Sequence, residues 1–234
     1  GRGLAERIRD AYRFLSERWQ PGDRVLGFGF SRGAFAVRSL MGFIEAVGLP
    51  KTNKLVKERE LARLYAMYRK RACKPVVRPS WTVEAPVQFL GLWDTVGALA
   101  FGHWINGYHA ISPGNVRHVC HAVALDEERK LFWPELWAAS NRPGQTVEEV
   151  LFAGSHTNVG GGYTDARLSS IPLAWILEQA SRNGLRIDLK EIAVQVSEAA
   201  FATRRLSYTE FWHRCPMIGP LAARLGIGRR QRSI

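Results

Sequence analysis

The sequence has no apolar run that approaches the roughly 20 residues of a membrane-spanning helix, and this excludes an integral membrane protein of that kind. It has only three cysteines, Cys73, Cys120 and Cys215. They are widely spaced and form no CxxC pair, which excludes a disulfide framework and a thiolate zinc site and favours a reducing compartment. Repeats, low-complexity segments and recognisable nucleic-acid-binding motifs are also missing, so we expect neither a fibre nor a nucleic-acid partner.

What the sequence does contain is the composition of a globular protein with a full core, since 46% of its residues are hydrophobic and 23% are charged. At this length we expect a single domain over residues 1–234. The chain begins at Gly1 inside a helical pattern, without an initiator methionine or the charged-then-apolar layout of a signal peptide. We therefore expect a fragment of a longer protein that is cytoplasmic in the cell that produces it.

The net charge of +12 is concentrated in two segments. Residues 51–80 hold 10 basic and 2 acidic residues, and residues 221–234 hold 4 basic and no acidic ones, while the rest of the chain is balanced. We interpret residues 51–82 as a basic helical insertion and residues 200–234 as a basic C-terminal extension.

Apolar side chains recur at helical spacing inside this insertion, at Leu61, Leu64, Tyr65 and Tyr68. Basic residues surround them, so the sequence predicts a basic amphipathic helix. Such a helix can lie on anionic lipid and bring a membrane surface to the protein. The alternative is that its apolar stripe packs on the protein's own core, which is the more usual arrangement.

Short apolar runs alternate with helical patterns along the chain. The runs are typical of buried parallel strands and lie at residues 24–30, 87–93, 116–125 and 147–153. Helical patterns cover residues 34–47 and 171–183, the second with Pro172 in its first turn. This alternation predicts an α/β fold with a mostly parallel sheet and helices on both faces.

The segment Gly29-Phe30-Ser31-Arg32-Gly33 matches the pattern G-x-S-x-G between an apolar strand and a helix, which is the context of a nucleophile elbow. Such a strained turn exposes Ser31 at the carboxyl edge of the sheet, and Gly29 and Gly33 let strand and helix approach closely. The amide of Arg32 starts the helix, where unpaired N–H groups and the helix dipole can stabilise an oxyanion. A phosphate-binding or merely tight turn is the alternative.

A serine nucleophile needs a base, and α/β-hydrolases supply an acid and a histidine in the order Ser, Asp or Glu, His. Asp94 follows the apolar run at residues 87–93, and His156 follows the run at residues 147–153. Because parallel strands gather their carboxyl ends at one edge, both residues can meet Ser31 there. The sequence therefore predicts an α/β-hydrolase-like fold with a Ser31, Asp94 and His156 triad.

Other residues compete for the roles of acid and base. Asp126 and His121 are candidates, but His118 and His121 lie within an apolar strand, where a hydrogen-bonded structural histidine is the common outcome. Asp126 opens a charged run and is better interpreted as a helix cap. No metal or cofactor is predicted, because no ligand spacing is formed by His103, His109 and His213.

Three consecutive glycines, Gly160, Gly161 and Gly162, follow His156. They permit positive φ angles and close backbone approach, which suits a catalytic loop or an anion cradle, although a plain flexible turn explains them equally well. Asp165, just beyond them, is interpreted as a cap for the helix that follows.

Four segments, in order, resemble successive blocks of the type VI secretion lipase effectors of the first class, which belong to a wider α/β-hydrolase domain family. They are GFGFSRGAFAVRSL, FLGLWDTVGAL, HAVALDEERKLFWPELW and EVLFAGSHTNVGGGYTDARLSSIPLAWI. The resemblance implies a serine phospholipase or esterase acting on phospholipid acyl esters, with Ser31 as nucleophile, Asp94 as acid and His156 as base. It also implies delivery to a target cell by type VI secretion, with a secretion-apparatus protein or an immunity protein as partner.

The chain differs from these relatives at its start. They carry, upstream of the first helix, a strand that ends in an FDGT-like block, and this chain has nothing before Gly1. We expect at least one N-terminal strand to be missing, together with part of the oxyanion hole. Two other functions stay open, namely a catalytically silent module that binds lipid or protein through its basic face and a soluble carboxylesterase for small esters.

Overall fold

The chain forms one parallel sheet, one small antiparallel ribbon and five helices within the residues that this computed structural model describes, 2–70, 76–97, 112–129, 132–138 and 142–188. The helices are α1 (Arg2–Arg18), α2 (Arg32–Val47), α3 (Glu58–Arg69), α4 (His156–Gly160) and α5 (Arg167–Arg182). The strands are β1 (Val25–Phe30), β2 (Leu49–Pro50), β3 (Thr82–Val83), β4 (Val87–Trp93), β5 (Val116–Ala124) and β6 (Thr146–Phe152).

All neighbouring strands of the main sheet run parallel, in the order β1-β4-β5-β6. Phe30 at the end of β1 lies beside Trp93 at the end of β4, which in turn lies beside Ala122 of β5. Ala124 at the end of β5 lies beside Phe152 at the end of β6. The carboxyl ends of the four strands therefore share one edge, as the alternating sequence pattern predicts.

Strand β4 separates two layers of core, because its alternate side chains point to opposite faces of the sheet. Leu90 and Leu92 pack into the larger layer, together with buried residues of α1, α2 and α3. Phe89 packs into the smaller layer with Ile176 of α5. A Cβ at Gly91 would lie 2.7 Å from the Ile176 side chain, so the glycine lets α5 approach closely. Helices thus cover both faces of the sheet.

The ribbon stands at the base of the segment interpreted as an insertion. Leu49 pairs with Val83 and Pro50 with Thr82, both in antiparallel register. The two ends of the insertion are therefore adjacent, and residues 51–81 leave and rejoin the body at one place.

The apolar stripe of α3 packs on the protein's own core. Leu61, Leu64, Tyr65 and Tyr68 are all buried. Phe43 of α2 contacts the two tyrosine rings at centroid distances of 5.4 and 5.3 Å. The interpretation of this stripe as a membrane-docking face is therefore wrong, and the packing alternative is correct, because the stripe fills a cluster that a bilayer cannot reach.

Helix α5 begins earlier than predicted. Its first residue is Arg167, which places Pro172 inside the helix rather than in its first turn. Asp165 stabilises this start, since its carboxylate accepts the Arg167 N–H at 3.2 Å and pairs with the Arg167 guanidinium at 2.8 Å. Helix α4 is an element that the sequence analysis does not predict, because it is short and glycines follow it at once.

Some predictions concern residues outside the described ranges, namely the extension at residues 200–234 and Cys73, Cys215, His103, His109 and His213. Among the described helices, none is both long and apolar enough to cross a bilayer. Cys120 is buried in β5, and burial raises the pKa of its thiol to about 12. This thiol stays protonated at neutral pH and does not act as a nucleophile.

Candidate active site

The turn between β1 and α2 holds Ser31 in a backbone conformation that is rare for a residue with a side chain. Its φ is 58° and its ψ is −126°, and strain of this kind costs about 1–3 kcal/mol. The end of β4 and the segment after it fix this conformation, because the Ser31 N–H donates to Trp93 O at 2.9 Å and Ser31 O accepts the Val96 N–H at 3.4 Å. This is the sharp strand-to-helix turn that a nucleophile elbow requires.

The two elbow glycines have different surroundings. A Cβ at Gly29 would lie 2.6 Å from the Ala34 backbone, so a glycine is needed where α2 crosses β1. Gly33 has no neighbouring atom within 4 Å of its Cβ position, so the prediction that this glycine also lets strand and helix approach closely is wrong. Arg32 is the first residue of α2, which puts its amide at the positive end of the helix dipole.

Asp94 lies directly after β4 and is completely buried. It has a φ of 37°, an unusual value for a residue with a side chain. Its N–H donates to Ala122 O at 2.7 Å, and its Oδ1 accepts the Ala124 N–H at 2.9 Å. Strand β5 therefore fixes both the backbone of Asp94 and one of its carboxylate oxygens.

The second carboxylate oxygen of Asp94 meets His156, the first residue of α4. Asp94 Oδ2 lies 2.7 Å from His156 Nδ1, and the histidine side chain is only 5% exposed. The rings of Phe30 and Phe132 contact the imidazole at centroid distances of 4.5 and 4.8 Å. The carboxylate and the two aromatic rings together fix the orientation of the imidazole.

The three residues predicted as a triad thus lie at one sheet edge but are not all in direct contact. Asp94 and His156 are hydrogen-bonded to each other, and Ser31 is bonded through its backbone to the segment that carries Asp94. Within the described residues, no hydrogen bond joins the Ser31 hydroxyl to His156 Nε2. In substrate-free enzymes this bond is often long and shortens when substrate binds.

Two acidic residues after β5 hold the loop that carries His156. Asp126 accepts the Gly154 N–H at 2.6 Å, and its own N–H donates to Gly154 O at 3.0 Å. Glu127, which is buried, accepts the His156 N–H at 3.2 Å and pairs with Arg129 at 2.8 Å. The prediction that Asp126 caps a helix is wrong, because the adjacency of β5 and β6 brings it to the loop after β6 instead.

Sequence reasoning also missed residues that support this loop. Ser155 and Asn158 form a capping box at the start of α4. The spacing Ser-x-x-Asn before an apolar residue is the signal that could have revealed it. No local signal indicates Glu127 or Phe132, since each reaches His156 only through the tertiary fold.

Buried Arg38 connects the helix after Ser31 to the surroundings of His156. Its guanidinium donates to two carbonyl groups in residues 132–138, the segment that also carries Phe132. Burial lowers the pKa of Arg38 to about 10, so it remains charged at neutral pH. Through this segment, α2 supports the aromatic contact on the imidazole of His156.

The competing histidines in β5 are both engaged elsewhere. His121 is fully buried, with Nδ1 2.7 Å from Glu149 Oε1 and Nε2 accepting the Thr95 N–H at 3.1 Å. With both nitrogens bonded, its imidazole has no free lone pair for a serine proton. His118 Nδ1 lies 2.7 Å from Thr146 Oγ1. Both are hydrogen-bonded sheet histidines, as their position in an apolar strand predicts.

The three glycines after His156 serve different needs. A Cβ at Gly160 would lie 2.0 Å from the Phe30 ring, so only glycine fits beside that ring. Gly161 and Gly162 have φ values of 84° and 116°, which favour glycine. Gly160 therefore provides the close approach predicted from the sequence, and Gly161 and Gly162 provide the predicted positive φ angles.

If the site has the esterase activity that the sequence predicts, replacing Gly160 by alanine is expected to lower its kcat by about 100-fold, because the new methyl group displaces the Phe30 ring that contacts His156. Steady-state kinetics on a soluble ester measures the effect. Gly3→Ala is the matched control, since Gly3 lies in α1 with no atom within 4 Å of its Cβ position. Unchanged activity in Gly160→Ala would contradict a role for the Phe30 contact.

An apolar cavity of about 320 Å³ lies beside the elbow. Phe28, Phe30, Trp93 and Val159 contribute to its wall, as does Leu173 of α5. Among the described residues, no group of three or more His, Cys, Asp or Glu side chains is arranged to hold a metal ion. The site therefore combines a polar edge with an adjoining apolar space.

The chain is similar to known proteins in sequence and in structure. A family described as "T6SS, Phospholipase effector Tle1-like, catalytic domain" matches residues 1–179. An uncharacterized protein of Saccharomyces cerevisiae is 32% identical over 142 residues, or 55% of this chain and 21% of the yeast protein, so the chain spans about a fifth of that relative's length. A solved structure of the Tle1 effector bound to the VgrG spike from the Type 6 secretion system is 21% identical, with a TM-score of 0.38, over 69% of this chain and 31% of that one.

Proposed function

Because this chain belongs to the family of Tle1-like phospholipase effector catalytic domains, we propose that it is a serine hydrolase that cleaves the acyl esters of phospholipids. The observation that carries the proposal is the 2.7 Å hydrogen bond between buried Asp94 and His156, at the sheet edge where the strained turn presents Ser31. One relative is a yeast protein, so the proposal concerns the reaction and not the route of delivery.

The mechanism follows from the proton positions. Asp94 Oδ2 accepts a hydrogen bond from the Nδ1–H of His156, which leaves the lone pair of the neutral imidazole on Nε2. As Ser31 Oγ attacks the ester carbonyl, Nε2 takes the hydroxyl proton, and buried Asp94 stabilises the imidazolium that forms. The proton then passes to the departing alcohol oxygen, and Ser31 retains the acyl group as an ester.

The second half of the reaction uses the same groups. A water molecule gives its proton to His156 Nε2 and attacks the acyl-enzyme carbonyl, which releases the fatty acid and returns the proton to Ser31 Oγ. In both halves the amide of Arg32, at the start of α2, donates to the oxyanion. Loss of one such donor commonly costs about 100-fold to 1,000-fold in kcat.

The apolar cavity supports a substrate with a hydrocarbon chain. Its wall includes Phe30, the residue directly before Ser31, and Gly160 of the helix that carries His156. An acyl chain placed there would remove apolar surface from water next to the reacting carbonyl. Small polar esters would leave this space unfilled.

Labelling with a fluorophosphonate probe, followed by peptide mass mapping, tests whether Ser31 is activated. We expect the label on Ser31 in the wild-type chain and its loss in His156→Ala. Release of fatty acid from phosphatidylglycerol and phosphatidylethanolamine vesicles, compared with hydrolysis of a short-chain ester, tests the substrate class in parallel.

Each outcome separates the proposal from its alternatives. A folded wild-type chain that binds vesicles without labelling or turnover would indicate a silent lipid-binding module. Labelling with turnover of the short-chain ester alone would indicate a carboxylesterase for small substrates. Labelling at Ser31 that survives in His156→Ala would overturn the assignment of the base.

A further inference from the structure

We propose that His121 is a positioning residue that holds Asp94 in its reactive conformation through the Thr95 N–H, an inference that rests on the proposed function of the site. In the described structure His121 is hydrogen-bonded to Thr95 and Glu149 and not to Ser31 or His156. His121 acts on Asp94 through the peptide group that joins Asp94 to Thr95, because His121 Nε2 accepts the Thr95 N–H at 3.1 Å.

The two neighbours of His121 fix its tautomer. A backbone N–H can only donate, so Nε2 must present its lone pair to Thr95. The proton is therefore on Nδ1, which donates to Glu149 Oε1 at 2.7 Å. Glu149 Oε1 also accepts the Trp137 N–H at 2.9 Å, which keeps this carboxylate in place. His121 is thus a neutral acceptor locked toward Thr95.

Asp94 needs such support because its φ of 37° is unfavourable for a residue with a side chain. The peptide groups around it are held in place on both sides. The Asp94 N–H donates to Ala122 O, and Thr95 O accepts the Glu135 N–H at 2.8 Å. His121 accepts the Thr95 N–H of the peptide group between these two, and Thr95 is fully buried. Loss of this acceptor would leave a buried N–H without a partner.

The chain itself contains a matched comparison for this role. His118 and His121 lie three residues apart on β5, and each bonds through Nδ1 to the residue paired with it on β6, Thr146 and Glu149 respectively. Of the two, His121 is the one whose Nε2 reaches the segment after β4. If these histidines only joined β5 to β6, substituting either one would have a similar effect. If His121 positions Asp94, only its substitution should affect the site.

Two substitutions separate the two hydrogen bonds of His121. In His121→Asn the side-chain amide ends near the position of Nδ1, so it keeps a donor toward Glu149 and loses the acceptor for Thr95. In His121→Gln the side chain reaches the position of Nε2 and restores that acceptor. His118→Ala serves as the control for strand pairing. All three variants keep β5 and β6 joined by their backbone ladder.

The measurements are kcat, KM and the pH profile of kcat/KM on a soluble ester, with circular dichroism and thermal melting for each variant. We expect His121→Asn to lower kcat by about 10-fold to 100-fold with KM nearly unchanged, as for other residues that orient a catalytic group. His121→Gln should recover most of kcat.

Measuring the wild type alongside the variants separates a failure of the proposed function from a failure of the role proposed for His121. Absence of wild-type turnover and Ser31 labelling would defeat the proposed function, not the role of His121. With an active wild type, equal kcat in His121→Asn and His121→Gln would overturn the inference. So would a loss of kcat that His118→Ala shares, or one that follows the fraction of unfolded protein.

Discussion

Ser31→Ala is expected to lower the rate of phospholipid and ester hydrolysis by about 10⁶-fold, because the variant lacks the oxygen that forms the acyl-enzyme. The strained turn should persist, since its φ of 58° is held by backbone hydrogen bonds with Trp93 and Val96. Thermal melting is therefore expected to be unchanged. Fatty-acid release from vesicles, together with fluorophosphonate labelling, measures the effect.

Ser39→Ala is the matched control for this variant. Ser39 lies in the same helix, is fully buried, and its hydroxyl has no hydrogen-bond partner within the described residues. The same change of side chain should therefore leave turnover intact. If Ser31→Ala kept its activity, another nucleophile would have to be sought and the elbow would be only a tight turn.

Asp94→Asn is expected to lower kcat by about 10⁴-fold without loss of the fold. The Asn oxygen can keep the bond from the Ala124 N–H that Asp94 Oδ1 now accepts. Its NH₂ group then faces His156 Nδ1 and forces that nitrogen to act as an acceptor. The imidazole proton moves to Nε2, where the base needs a lone pair.

The pH profile and a second Asp-to-Asn variant test whether the loss of kcat is specific to the carboxylate of Asp94. Asp165→Asn changes a half-exposed carboxylate that pairs with Arg167 at the start of α5, and it should retain turnover. In Asp94→Asn we expect kcat/KM to rise with hydroxide concentration, as the imidazole is no longer an effective base at neutral pH. A kcat close to that of the wild type would mean that Asp94 is not the acid partner of His156.

The strands and the elbow were predictable because their signals are local. Strands β4 and β5 have mostly buried side chains, so their apolar residues form the continuous runs that indicate parallel strands. Ser31 stands in a five-residue pattern whose first glycine, Gly29, is explained by the crossing of α2 over β1. The shared carboxyl edge follows from the alternation of strands and helices.

The contact that distinguishes the two buried histidines was not predictable in this way. His121 and His156 each have a carboxylate oxygen 2.7 Å from Nδ1, contributed by Glu149 and Asp94 respectively. They differ at Nε2, because the Thr95 N–H occupies that of His121. This donor reaches His121 only through the pairing of β4 with β5, and no local sequence pattern contains it.

The packing partner of the basic helix α3 could not be predicted from local sequence either. Amphipathicity in α3 shows that its stripe must be covered, but it does not identify the cover. Phe43 of α2 supplies part of that cover through its contacts with Tyr65 and Tyr68. The loop contacts of Asp126 and Glu127 are equally dependent on long-range pairing, here of β5 with β6.

The pairing of β1 with β4 also determines when the site is assembled during folding. Phe30 lies beside Trp93, although the whole insertion separates them along the chain. Such distant parallel pairing requires closure of a long loop and forms slowly compared with local helices. The turn at Ser31 is held by groups of Trp93 and Val96, so it acquires its native shape only after that closure. Fluorophosphonate labelling of the proposed nucleophile Ser31 during refolding is therefore expected to begin only once these two distant strands have joined.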